Sequence, residues 1–316
     1  MPVVRPEAFL ESQQLKRDNP SPVVLGGKTP EAFSFRRANL IFLQPTRILE
    51  RKRIELNFDL LEKLVAQEKF AKHLASHQNL KVTLLVSGPY TRTHASYCAF
   101  LVKTFRRFRR RLPKDIRNRF FLAFKFGKET SAFLEKQRKK PVKIEQLYGV
   151  SHFVMLPSQT EGRGLPILES ASTGVPILVH RYEPEEVFAE VKGEHLDKNM
   201  RLKLFEFSGE HFPQKLVGDI AHVLLNPEER ESLIEHNREV VRKRFSISAL
   251  VSAFDPILLT LYERTKSDKG RFRLIKDAFA EHRKRTVYDK AFFSLVRGEN
   301  RKYTPGVSQI EYMVML

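Results

Sequence analysis

The chain predicts an α/β fold, a doubly wound parallel sheet with helices on both faces. Three observations predict it. Short apolar runs alternate with stretches of helical spacing from residue 39 to residue 179, and such alternation builds parallel sheets. Most of the runs end at Gly or Pro, the residues that stop strands. The hydrophobic fraction is 41% of 316 residues, enough for a globular core.

Taken in order, residues 1–37 are an irregular lead-in, punctuated by Pro20, Pro22, Gly26, Gly27 and Pro30. Asn39-Leu40-Ile41-Phe42-Leu43 is the first strand. A helix follows, with Ile54, Phe58, Leu61, Leu64 and Val65 at helical spacing. A second strand covers 80–86 and ends at Ser87-Gly88-Pro89. A helix over about 95–111 leads to a third strand, 120–126, ending at Gly127. Ile144, Leu147 and Tyr148 mark a short helix before the strand at 152–156, which stops at Pro157. The next helix is opened by a glycine turn and Pro166 and closed by Gly174 and Pro176. A strand at 176–179 comes after it. Leu216, Val217, Ile220 and Leu224 define a further helix. Pro227-Glu228-Glu229 opens another, with Leu233, Ile234, Val240 and Val241 inward. A last helix carries Leu250, Val251, Phe254, Ile257, Leu258 and Leu261, and Pro256 is expected to kink it.

Ligands bind outside the carboxyl ends of the strands in such sheets. Arg47–Lys52, Ser87–Gly88, Gly127–Lys128 and Glu161–Glu169 all follow strand ends, so all fall on one rim. The segment Pro157-Ser158-Gln159-Thr160-Glu161-Gly162-Arg163-Gly164-Leu165-Pro166-Ile167-Leu168-Glu169 joins a strand to a helix through two glycines. That helix end offers free N–H groups and positive charge, a site for phosphate. Carboxylates on both sides accept hydrogen bonds from hydroxyls. Phosphate flanked by hydroxyls describes a sugar nucleotide. Arg47 and Lys52 lie in the first strand-to-helix loop, where two cations can clamp a diphosphate and neutralise charge on a leaving nucleotide.

The Glu-x7-Glu spacing with Gly-x-Gly-Leu-Pro inside it resembles the donor-site signature of the group 1 retaining glycosyltransferases. The resemblance runs from about Arg37 to Glu263. It implies a Rossmann-like domain, the C-terminal half of a two-domain GT-B enzyme. It implies sugar contact for Glu161, ribose contact for Glu169, and backbone at Gly164 and Leu165 facing the sugar or diphosphate. Arg47 and Lys52 match the family's Arg and Lys, five residues apart, so Arg47, Lys52 and Glu161 form the expected catalytic set. Gly88, Gly162, Arg163 and Lys128 complete the expected donor site, with Lys128 near the nucleotide base. The family often has Gly directly after its Lys, and this chain departs with Arg53. The donor implied is a UDP- or GDP-linked sugar, with no further cofactor and no bound metal. Glu183, Glu185 and Glu186 read as an acidic helix start rather than a metal cluster. His180, just past the strand at 176–179, is a weaker candidate for the rim.

Only 38 residues precede the first strand, too few for the N-terminal domain that binds the acceptor in this family. The expected organisation is therefore a lead-in, 1–37, a donor-binding domain, 38–263, and a basic extension, 264–316. The acceptor half is expected in a separate N-terminal domain or a partner subunit.

The net charge is +19, from 56 Lys and Arg against 37 Asp and Glu, which speaks of partners rather than fold. An anionic membrane surface, nucleic acid and anionic substrates all fit it. No zinc spacing, RNA-binding aromatic signature or helix-turn-helix pattern supports specific nucleic-acid recognition. Clusters occur at 103–119, 136–143 and 264–302. In the first, Phe105 and Phe108 are expected to face the core with the arginines outside. The single cysteine, Cys98, rules out an internal disulfide and suits a reducing compartment. No signal-like apolar stretch opens the chain, and no run of ~18 apolar residues occurs. The expectation is a cytoplasmic protein, peripheral to a membrane at most. A non-catalytic nucleotide-sugar-binding or scaffolding subunit, using its basic surface, is the competing functional class.

Overall fold

The computed structural model describes residues 23–25, 39–88, 95–125 and 144–256. The strands are β1 (Val23–Leu25), β2 (Asn39–Gln44), β3 (Lys81–Ser87), β4 (Phe120–Lys125), β5 (Phe153–Leu156), β6 (Ile177–His180) and β7 (Phe205–Phe207). The helices are α1 (Leu56–Val65), α2 (Glu68–Ser76), α3 (Ala95–Arg111), α4 (Ile144–Val150), α5 (Leu165–Thr173), α6 (Glu185–Lys192), α7 (Gln214–Leu225) and α8 (Pro227–Phe245). Residues 247–256 are also helical. The chain divides into two units, residues 1–240 and 241–316, and the sheet and every candidate residue lie in the first.

One seven-stranded sheet runs in the order β1-β4-β3-β2-β5-β6-β7. All neighbours from β4 to β7 are parallel, and β1 pairs antiparallel with β4. The order runs outward in both directions from β2 and β5. It is a doubly wound Rossmann-like sheet whose reversal point lies between those two strands. Phe42 faces Phe153 and Leu43 faces Val154 across that junction.

The strands are apolar on both faces because both faces are covered. On β2, Leu40 and Phe42 enter the main core cluster. Ile41 and Leu43 point to the opposite face and are just as buried. Helix α4 packs against β2, and α5 against α4 and β6. On the main face, Phe58 of α1 lies 5.7 Å from Phe105 and 5.9 Å from Phe108 of α3. Phe108 meets Phe120 of β4 edge-on at 5.5 Å. The two phenylalanines of α3 thus anchor it, leaving Lys103, Arg106, Arg107 and Arg110 exposed.

Three elements differ from the sequence expectation. Val23–Leu25 is a strand within the segment read as irregular lead-in. It adds backbone hydrogen bonds to β4, and three apolar residues are too short a run to show it. The segment after Val65 forms a separate helix, α2, seated by Phe70 and Leu74 at i, i+4 spacing. The edge strand β7 is likewise three residues long, and only Phe207 is fully buried. Lys128 and residues 257–316, with the continuation past Pro256 and the basic extension, lie outside the described residues. Among the described residues no helix is long and apolar enough to cross a membrane.

Candidate active site

The loop after β2 is fixed from below by polar groups. Gln44 ends the strand fully buried. Its Nε2 donates to Thr46 Oγ1 at 2.7 Å, and its Oε1 accepts from Asn57 Nδ2 of α1 at 2.8 Å. Tyr97 of α3 holds the other end of the loop, accepting from the Ile54 N–H at 2.8 Å. Buried Ile48 and Ile54 pin the loop to the core. Between them a short 3-10 turn, Glu50–Lys52, swings Lys52 inward, so that it is 5% exposed. Arg47 stays exposed on the same loop. Gly88, at the end of β3, packs against this loop. A Cβ there would lie 2.3 Å from the Thr46 carbonyl oxygen, so the position demands glycine to keep the Arg47 backbone in place.

The loop after β5 is the other wall. Gly164 caps α5 with φ of 61°. A Cβ at Gly164 would meet the Tyr182 hydroxyl at 2.4 Å. Positive φ and crowding both select glycine there. Gly162 has open space around it and Arg163 is exposed. Leu165 and Pro166 form the first turn of α5. The loop is strung between its neighbours. Gln159 N–H donates to Arg51 O at 2.8 Å, and Arg51 Nη1 donates back to Thr160 O at 2.8 Å. Glu161 N–H donates to Glu183 O at 3.0 Å on the side of β6.

These ties bring Lys52 and Glu161 together across the reversal point of the sheet. Lys52 Nζ lies 2.5 Å from Glu161 Oε1, with the side chains 6% and 11% exposed. Burial pushes the Lys52 ammonium below its ordinary range, Glu161 pulls it back up, and Arg51 and Arg47 lower it further. The ammonium has two N–H donors left and the carboxylate a second oxygen. Both can therefore serve a ligand without breaking the pair.

Glu169 lies one turn into α5. It accepts a hydrogen bond from Tyr148 of α4 at 2.8 Å. Burial raises its pKa, Tyr148 holds it down, and Glu145 adds a smaller upward push. Tyr182 is fully buried, and its phenol is pushed well up by burial and by Glu161. It remains protonated. His180 ends β6, where burial and then Arg53 hold its ring below the usual histidine range.

The structure thus joins Lys52 to Glu161, sets Arg47 on the same loop and Gly88 against it, and places Gly162, Arg163 and Gly164 at the N-terminus of α5. Gln44, Asn57, Tyr148 and Tyr182 support the site and are not singled out by the motifs. Gln44 interrupts an otherwise apolar strand end, which is the one signal that marks it. Among the described residues no cluster of His, Cys, Asp or Glu can hold a metal.

No family model matches the chain. It is 26% identical over 227 residues to the mannosylglucosylglycerate synthase of Thermotoga maritima, covering 67% of this chain and 47% of that protein. It superposes on an α,α-trehalose-phosphate synthase (UDP-forming) from Burkholderia vietnamiensis with a TM-score of 0.50 at 14% identity, covering 83% of this chain and 51% of that one. The fold is that of one half of a GT-B glycosyltransferase. Anabaena HepE, in complex with UDP and glucose, aligns with a TM-score of 0.47 at 15% identity over 72% of this chain and 49% of that chain. The chain spans about half the length of the Thermotoga and Burkholderia proteins.

Proposed function

We propose that this chain is the donor-binding half of a retaining hexosyltransferase that uses a nucleoside-diphosphate sugar. The observation that carries the reading is the Lys52–Glu161 pair at the reversal point of the sheet, where doubly wound folds bind ligands. A diphosphate lying over the N-terminus of α5 meets its free N–H groups, the remaining donors of Lys52, and Arg47. As the glycosidic bond breaks, negative charge builds on the leaving diphosphate. Lys52 and Arg47 stabilise that charge where it develops. The second oxygen of Glu161 accepts from a sugar hydroxyl and orients the ring. Glu169 accepts from ribose hydroxyls, and the Tyr148 hydrogen bond fixes its carboxylate for that task. The acceptor half comes from an N-terminal domain or a partner subunit. The matched relatives, named as a synthase of a glycosylated glycerate and as a UDP-forming synthase, support sugar transfer from a nucleotide donor.

The test is calorimetric titration with UDP, GDP and their hexose conjugates, beside Glu169→Ala. Saturable binding of one nucleotide series, weakened at least tenfold in the variant, is expected. Absence of binding to every nucleotide would shift the reading to a scaffolding subunit. The affinity also carries a pH signature. The diphosphate needs charged Lys52, so donor affinity falls as pH rises through the Lys52 pKa, which burial holds below the ordinary lysine range.

A further inference from the structure

Arg53 follows Lys52 directly and adopts φ 48° and ψ 41°, the left-handed conformation. It has the only positive φ of any non-glycine residue among those described. An L side chain there costs about 1 kcal/mol relative to the right-handed region, and such outliers concentrate at functional sites. This backbone aims the guanidinium along the rim, away from β3. Nη1 lies 3.3 Å from His180 Nε2 at the end of β6, and Nη2 donates to Gly209 O at 3.0 Å past the end of β7. Burial keeps the His180 ring neutral, so Nε2 can accept. The guanidinium is thus held at two points, one at the end of β6 and one past the end of β7. Three of its five N–H donors remain, and no carboxylate pairs with it among the described residues. It sits on the β6–β7 side of Glu161, whose loop is tied to Glu183 after β6.

A held, uncompensated planar fork matches a carboxylate or phosphate. We infer that Arg53 recognises an anionic group on the substrate that lies over the β6–β7 side of the rim, beyond the sugar contact of Glu161. This rests on the donor-site reading. The group belongs either to the transferred sugar, as in a uronic acid, or to the acceptor.

The test compares the full chain with Arg53→Gly, which suits the left-handed backbone and should fold. In one arm UDP-glucuronate and UDP-glucose, or the GDP counterparts if GDP binds, are titrated by calorimetry. In the other, inorganic phosphate is titrated into chain saturated with the bound nucleotide, and into nucleotide-free chain. Arg53→Gly is expected to cut the uronate-to-neutral affinity ratio, or the affinity for phosphate, at least tenfold. Loss in the first arm assigns the anion to the donor, and loss in the second assigns it to the acceptor. Unchanged values in both arms overturn the inference while leaving the donor site standing. If the parent chain binds no nucleotide, the donor reading fails, and the nucleotide-free phosphate titration alone decides Arg53 in the same way.

Discussion

The two glutamates of the signature are held in opposite ways. Glu161 faces a buried ammonium, Lys52, at 2.5 Å. Glu169 faces a neutral phenol, Tyr148, at 2.8 Å. The first pairing joins two loops 109 residues apart in sequence. The second joins two helices of one layer, 21 residues apart. A buried ion pair tolerates the loss of neither partner, because the survivor is left charged and unpaired. A carboxylate on a phenol loses one hydrogen bond, and no counter-charge is lost with it. The Lys52–Glu161 side should therefore couple stability to function, whereas the Glu169 side should separate them.

The largest effect that can break this contrast is in Lys52→Ala. It should destabilise the chain by about 3 kcal/mol in denaturant unfolding. The double variant Lys52→Met, Glu161→Leu should recover most of that stability yet bind no donor. Equal losses in the single and double variants would remove the ion pair from the account.

Next comes Gly164→Ala, expected to cost about 2 kcal/mol, since it combines positive φ with overlap on buried Tyr182. Gly162→Ala, with nothing near its Cβ, should change the melting temperature little. Similar values for the two would contradict the loop geometry.

Tyr148→Phe should cost about 1 kcal/mol and sharpen the Glu169 side. Losing that hydrogen bond removes the influence that holds the Glu169 pKa down. Ribose binding needs the carboxylate, so nucleotide affinity falls as pH drops through this pKa. In the variant that fall should move to higher pH, which titrations between pH 4 and 7 would record.

The smallest stability effect belongs to Arg47→Ala. The side chain is exposed, so unfolding free energy should stay within about 0.5 kcal/mol, while donor affinity drops about tenfold.

The same contrast marks what the sequence made legible. Strands β2 to β6 are visible because both faces of each are buried, which leaves unbroken apolar runs. The Glu161 and Glu169 spacing is visible because one turn and one helix place both residues locally. Lys52 meeting Glu161 is invisible, because the contact depends on parallel pairing of β2 with β5 across 109 residues. The supporting roles of Gln44, Asn57 and Tyr148 are hidden in a similar way, since each acts through a partner on another element. Arg53 shows the converse. The motif marks it as a departure from glycine, and the backbone nevertheless takes the conformation glycine favours, held by His180 and Gly209.

The division of labour between the glutamates is tested most directly by calorimetry of Glu161→Gln and Glu169→Gln with the nucleoside diphosphate and its hexose conjugate. The account predicts that Glu161→Gln loses more affinity for the conjugate than for the diphosphate, because its direct ligand contact is the sugar, while Lys52, relieved of its partner, still meets the diphosphate. Glu169→Gln should lose both together, because it contacts the ribose they share. Equal losses for both ligands in both variants, or none in either, would contradict it.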